Sequence, residues 1–266
     1  MVESVQTGLT HAAHVAQESD LRESPNGLRF AEFGETNLVP AELERMVQAV
    51  PATIASLLLQ RAFYFVPLAL AERSGDLPKG VSEPGDTLIA AAYSTEWSDQ
   101  AVCHRDVRLG DKEGIFISTR LLADRFALAF EFFINVGHAF VDAAGVPEAF
   151  NQLVWAQALA DVRGETSQDA WESRSLALTT NGKAEKIDGK PVIDEKAKNS
   201  FLESAFSDAV AIYQLSLSVD FDYSELRERE YPLLAPHALA ERLRLTHRFY
   251  PPNPTYEFAI RYRRRA

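Results

Sequence analysis

Asp124, Glu131, Asn135 and His138 interrupt a stretch of chain that is otherwise dominated by Leu, Ile, Val and Phe, from Leu121 to Val141, and Asp142 follows it directly. At about 100° per residue along an α-helix, Asp124, Glu131, Asn135, His138 and Asp142 fall within roughly 60° of one another. They form one narrow polar stripe on a helix that reads as buried on its other faces. Glu131 and His138 stand two turns apart with Asn135 between them, a wall suited to binding or to proton transfer. Burial beside a carboxylate is also a standard way to tune a histidine. The stripe fits the plain solvent edge of a core helix equally well, and both readings stand at this point. As a metal centre it is incomplete. Glu131 and His138 can supply two ligands, asparagine is a poor third, and the four-residue His-to-His spacing that seats zinc on one helical face is absent.

Other chemistry-bearing residues read as structural. Cys103 and His104 in the run Cys103-His104-Arg105-Asp106 are adjacent on a predicted strand, where neighbours point to opposite faces. His237 and His247, with Arg242, Arg244 and Arg248, read as a solvated basic face, the alternative being an anion site for a carboxylate or phosphate. The sequence has no Gly-x-Gly-x-x-Gly, no Gly-x-x-x-x-Gly-Lys-Ser/Thr and no Gly-x-Ser-x-Gly, so neither a nucleotide cradle nor a serine nucleophile turn is predicted. Phe249, Tyr250, Tyr256, Phe258 and Tyr262, among Pro251, Pro252 and Pro254, are expected to pack the tail back on to the core.

The chain of 266 residues holds 27 Lys and Arg against 38 Asp and Glu, a net charge of −11. Nucleic-acid binding needs clustered cations that displace counterions, and the only basic cluster is the terminal Arg261, Arg263, Arg264 and Arg265. A hydrophobic share of 46% excludes disorder throughout. One cysteine excludes an internal disulfide. The longest uncharged run, Met46–Gln60, and others such as Ala62–Ala71 fall short of the ~20 apolar residues that span a bilayer. A soluble, cytoplasmic protein is expected, with neither nucleic acid nor membrane as partner.

Hydrophobic periodicity and turn signals predict the elements that position the stripe. Residues 1–26 read as a frayed lead-in outside a single domain over 27–266. A helix from Pro40 is interrupted near Pro51, and a strand over 62–66 is closed by Pro67. A loop over 73–87 leads to strands near 88–93, 101–107 and 114–118. The long helix runs from 119 to 143 and stops at Gly145 and Pro147, with a second helix over 148–162. Residues 163–199 read as a surface excursion with tight turns at Asn181-Gly182 and Asp188-Gly189. Helices follow over 200–217 and 237–247, then an extended end. The class is α+β, a small mixed sheet packed on a long central helix with a mainly helical C-terminal half.

This order of elements, with Gly137-His138-Ala139-Phe140 inside the long helix, resembles the zincin metallopeptidase domain, most nearly its anthrax lethal factor-like branch, over roughly residues 40–235. In that family the helix carries His-Glu-x-Gly-His-Ala, and the matching positions here read Ile134-Asn135-Val136-Gly137-His138-Ala139. The family's third ligand is a glutamate in a segment like Glu-x-Phe-Ala-Glu-Ala-Phe-Ala-x-Tyr. The counterpart here runs from Ser204 to Tyr213, with Ser204 at the ligand position and Asp208 at the following acidic one. The resemblance implies a kept scaffold and lost chemistry. Zinc hydrolysis needs about three protein ligands, an open position and a carboxylate base; of these only His138 remains, so no metal and no cofactor is expected.

The function expected on this basis is a catalytically degenerate zincin-like protein with a binding, regulatory or repurposed role and a protein or peptide partner. His138, Glu131 and Asn135 would form its chemical centre, and Asp208, Ser204 and Tyr213 would contact the ligand. Two alternatives remain open. One is an active enzyme using His138 with nearby carboxylates, for which Glu131, Asp142, Asp208 or Glu203 would have to move in if a metal were held. The other is a helical interaction protein without a small-molecule site.

Overall fold

The computed structural model describes residues 8–71, 87–97, 104–110, 112–178, 186–187, 190–191, 193–227 and 231–260. The fold is α+β. The chain divides into two compact units, with the boundary between Phe132 and Phe133, where the sequence reading expects one domain over 27–266.

The first unit opens with β1 (Leu9–His11), α1 (Ala12–Glu18) and β2 (Arg22–Glu23), followed by β3 (Arg29–Glu32), α2 (Pro40–Gln48) and α3 (Ala52–Ala55). Next come β4 (Arg61–Val66), β5 (Leu68–Ala71), β6 (Thr87–Ala90), β7 (His104–Leu109) and β8 (Lys112–Ser118). Five strands form a mixed sheet in the order β2-β3-β4-β8-β7, and three more form a sheet in the order β1-β6-β5. Strands β3, β4 and β8 run parallel, while β2 and β7 pair antiparallel at the two edges. The central strand β4 is buried on both faces, as parallel strands usually are. Tyr64 on one face stacks on Phe116 at 4.7 Å between ring centres. Phe63 and Phe65 on the other face pack on Phe132, at 5.4 and 5.5 Å.

Pro40 occupies the first turn of α2, where its missing N–H costs nothing, and Pro51 separates α2 from α3. The expected interruption of that helix is therefore present. The reading of residues 1–26 as a lead-in outside the fold is corrected. Residues 9–11 pair with β6, and Ala12 and Val15 join the core beside Ala31, Tyr64 and Phe116.

Helix α4 (Arg125–Ala144) runs through the boundary between the units. By length and composition it could cross a membrane, yet most of it is buried. Leu128, Phe132, Phe133, Val136 and Phe140 all lie in the protein core, which suits a soluble protein. Gly145, at φ +69°, follows the last turn in the left-handed conformation that commonly ends helices.

The second unit continues with α5 (Glu148–Leu159), α6 (Gln168–Leu178), a hairpin of β9 (Lys186–Ile187) and β10 (Lys190–Pro191), α7 (Glu195–Ser218) and α8 (Pro236–Phe249). Asp194 caps α7 by accepting from the Ala197 N–H at 3.0 Å. The expected turns at Asn181-Gly182 and Asp188-Gly189, the loop residues 73–86, Cys103 and Tyr262 lie outside the described residues.

Residues 163–178 overturn the expectation of a surface excursion. Glu165 is fully buried and is held by two arginines. Arg242 Nη1 donates to its Oε2 at 2.8 Å and Nη2 to its Oε1 at 3.3 Å. Arg174 Nη1 donates to Oε1 at 3.1 Å and also reaches the carbonyls of Val162 and Gly164. Arg242 Nε donates to Gln157 Oε1 at 2.8 Å, and Gln157 Nε2 to Glu241 Oε2 at 3.0 Å. Arg242, expected on a solvated basic face, is thus an interior residue, while His237, Arg244 and Arg248 are exposed. Gly164 is required beside this network. It sits at φ +79°, and a Cβ there would stand 2.1 Å from the Leu233 carbonyl oxygen.

Removing one member of a buried, hydrogen-bonded ion pair costs about 3–5 kcal/mol, because the partner stays buried without compensation. Glu165→Ala should lower the unfolding free energy in urea by that amount; a loss below about 1 kcal/mol would show that the two guanidiniums find other acceptors.

Candidate functional site

The polar stripe of α4 separates into ends and a middle. Asp124 is the helix cap, its Oδ1 accepting from the Ala127 N–H at 3.0 Å, and Asp142 at the other end is exposed. Between them Glu131 and His138 are half-buried, and Asn135 retains only 5% of its exposure. The solvent-edge description therefore holds for the ends, while the middle three side chains are drawn into the protein. An isolated amide or carboxylate survives such burial only with partners, and none of the three stands without an interaction.

Glu131 lies in the first unit with Arg120, which stands in the 3-10 turn Thr119–Leu121 directly after β8. Burial pushes the Glu131 carboxyl above the usual carboxylate range, and the Arg120 guanidinium pulls it back in part. The net upward direction means that desolvation outweighs the attraction. Arg120 keeps one guanidinium nitrogen, Nη1, buried without a hydrogen-bond partner.

Asn135 and His138 lie in the second unit with α7. At Gly137 the two helices come close, since a Cβ there would stand 2.6 Å from the Ser207 carbonyl oxygen and 3.2 Å from Ser207 Oγ. Asp208, at 3% exposure, accepts a 2.7 Å hydrogen bond from Thr166 Oγ1. The Thr166 carbonyl accepts from the Tyr231 hydroxyl at 3.0 Å. Ser204 and Ile134 are half-buried and Glu203 is exposed. Tyr213, at the far end of the same segment, is buried, and its hydroxyl donates to the Tyr250 carbonyl at 2.7 Å. Burial pushes that phenol upward.

Tyr213 also meets Phe258 edge-on at 5.2 Å, and Phe258 stacks on His247 at 4.9 Å. Phe258 and Tyr250 thus carry the expected return of the tail on to the core. Tyr213 serves that packing with both its ring and its hydroxyl.

The donor set does not fit the zinc that the family resemblance brings to mind. At the positions that the resemblance aligns with the ligands and the base, Ile134 offers no ligand, Asn135 cannot act as a base and Ser204 offers only a hydroxyl. Among the described residues no three His, Cys, Asp or Glu side chains gather closely enough to hold a metal ion. No family model matches the chain, and no curated protein matches it in sequence.

The sequence reading missed the Glu165 network altogether. Its one local trace is the spacing of Ala170, Arg174 and Ala177, four and three residues apart, which places them on one buried face of α6.

Two tests follow from this geometry. Gly137→Ala puts a methyl group against backbone that cannot rotate away, so it should cost about 1–3 kcal/mol in urea unfolding; an unchanged midpoint would mean that the helices separate freely. For Glu131 the folded-state carboxyl binds its proton more tightly than the unfolded one, so its contribution to stability falls as pH rises out of the carboxylate range. Glu131→Gln should therefore melt higher than wild type at neutral pH, with the gap closing as the pH is lowered to about 4. A gap that widens on acidification would show that the Arg120 attraction dominates.

Proposed function

We propose that this chain is a zincin-like domain that has lost peptidase chemistry and binds a protein or peptide segment in the cytoplasm. The binding positions, all in the second unit, are Asn135 and His138 on α4 and Ser204 and Asp208 on α7. The observation that carries this reading is the close approach of α4 and α7 at Gly137 and Ser207. It draws together residues 134–139 and 204–213, the two segments in which the resembled family places its zinc ligands. Side-chain polarity persists at that approach, in Asn135 and Asp208, where an abandoned site inside a core would be expected to become apolar.

A metal-independent acid–base enzyme is the second reading, favoured by the upward shift of the Glu131 carboxyl on the helix that also carries His138.

Metal content, peptide binding and peptide turnover of the purified protein decide among these. Wild type should carry no stoichiometric zinc and cleave no peptide, yet select ligands from a random peptide library. His138→Ala should weaken those ligands at least about tenfold, equivalent to about 1.4 kcal/mol. Stoichiometric zinc that is lost in His138→Ala together with peptide cleavage would overturn the proposal. Turnover without metal, abolished in both Glu131→Gln and His138→Ala, would select the acid–base reading.

A further inference from the structure

We propose that Arg120 and Glu131 form a recognition site in the first unit for a singly charged carboxylate. The site shares Glu131 with the acid–base reading and does not rest on the peptide-binding one. Arg120 lies two residues beyond the end of β8, at the carboxyl ends of the parallel strands β3, β4 and β8. In open sheets ligands characteristically bind just outside those ends. Two other polar side chains there are already engaged. Ser118 Oγ accepts from the Ala69 N–H at 2.9 Å, and Glu32 receives Arg22 at 2.8 Å and Thr36 at 3.0 Å.

Arg120 Nη1 is different, being a buried guanidinium nitrogen with no hydrogen-bond acceptor among the described residues. Other buried polar atoms without partners, Ser24 Oγ, Asn151 Oδ1, Ser207 Oγ and Gln214 Oε1, belong to neutral groups that a single water can serve. An N–H of a charged guanidinium loses more than a neutral donor when it has no acceptor, even with Glu131 offsetting part of the charge. The matching acceptor is a planar oxyanion, which the guanidinium fork fits in shape as well as charge.

Glu131 sets the charge of that oxyanion. Its carboxyl lies within electrostatic reach of Arg120, so one positive group already faces one acidic group before any ligand arrives. A carboxylate adds a single negative charge. Inorganic phosphate at neutral pH adds more, and its repulsion from Glu131 grows accordingly. The pair therefore selects for monoanions, and a carboxylate meets the planarity requirement at the same time.

Arginine-labelled full-length protein, followed by NMR of the guanidinium resonances, tests this directly with sodium acetate and sodium phosphate at constant ionic strength and chloride as the control. Acetate should shift the Arg120 resonances saturably, and phosphate should bind at least about tenfold more weakly. Arg120→Lys should weaken acetate about tenfold or more, read from the shifts of neighbouring backbone amides. Glu131→Gln should keep acetate binding and narrow the difference from phosphate. Shifts that rise linearly like those of chloride, phosphate binding as tightly as acetate in wild type, or acetate binding untouched by Arg120→Lys would each overturn the assignment. Peptide ligands lost in His138→Ala while acetate still binds would separate the proposed peptide site from this one. Peptide binding without acetate binding would fell this site alone.

Discussion

The constraint on which most of this architecture turns is that more than half of α4 is buried. Phe132 closes one face of β4 in the first unit, and Phe140 packs on Phe206 and Tyr250 in the second. A helix so largely committed has few positions on which to place polar groups at random. Whatever polarity it retains must be capped, exposed at an end or matched inside. Asp124 and Asp142 meet the first two conditions. Glu131 in the first unit and Asn135 and His138 in the second are drawn inward and have interaction partners there.

In the second unit the comparable constraint is electrostatic. One carboxylate, Glu165, receives two guanidiniums and so links α5, α6 and α8 through Gln157, Arg174 and Arg242. Such a network contributes little net stability compared with an apolar core of the same shape. It is directional, however, and apolar packing is not. The segment before α6 is pinned by its backbone as well, the Glu165 N–H donating to the Pro232 carbonyl and the Leu234 N–H to the Glu165 carbonyl. Gly164 permits that approach by having no side chain.

The elements that could be read from sequence are those whose signals are local. Pro51 breaks a periodic helix, Gly145 ends another, and the run Ala62-Phe63-Tyr64-Phe65-Val66 has the composition of a buried strand; all three are present. What escaped depends on distant partners. β1 has three residues and no pattern of its own, and it becomes a strand because β6 supplies its hydrogen bonds. Arg242 sits among exposed basic residues on α8, and only the arrival of Glu165 and Gln157 makes it an interior group. The polar stripe was visible as a pattern of residue types. That its middle is buried and its ends are exposed was not, because helical periodicity fixes which residues share a face and says nothing of what lies opposite.

The separation along the chain between Glu165 and Arg242, 77 residues, bears on how the protein comes into being. At about 5–20 residues per second during synthesis, Arg242 follows Glu165 out of the ribosome by roughly 4–15 seconds. Until then Arg174, nine residues on, is the only arginine of the network available to that carboxylate. The second unit therefore cannot close its interior as it is made. It must wait, with its apolar helices exposed to aggregation or to chaperone capture, until α8 has emerged.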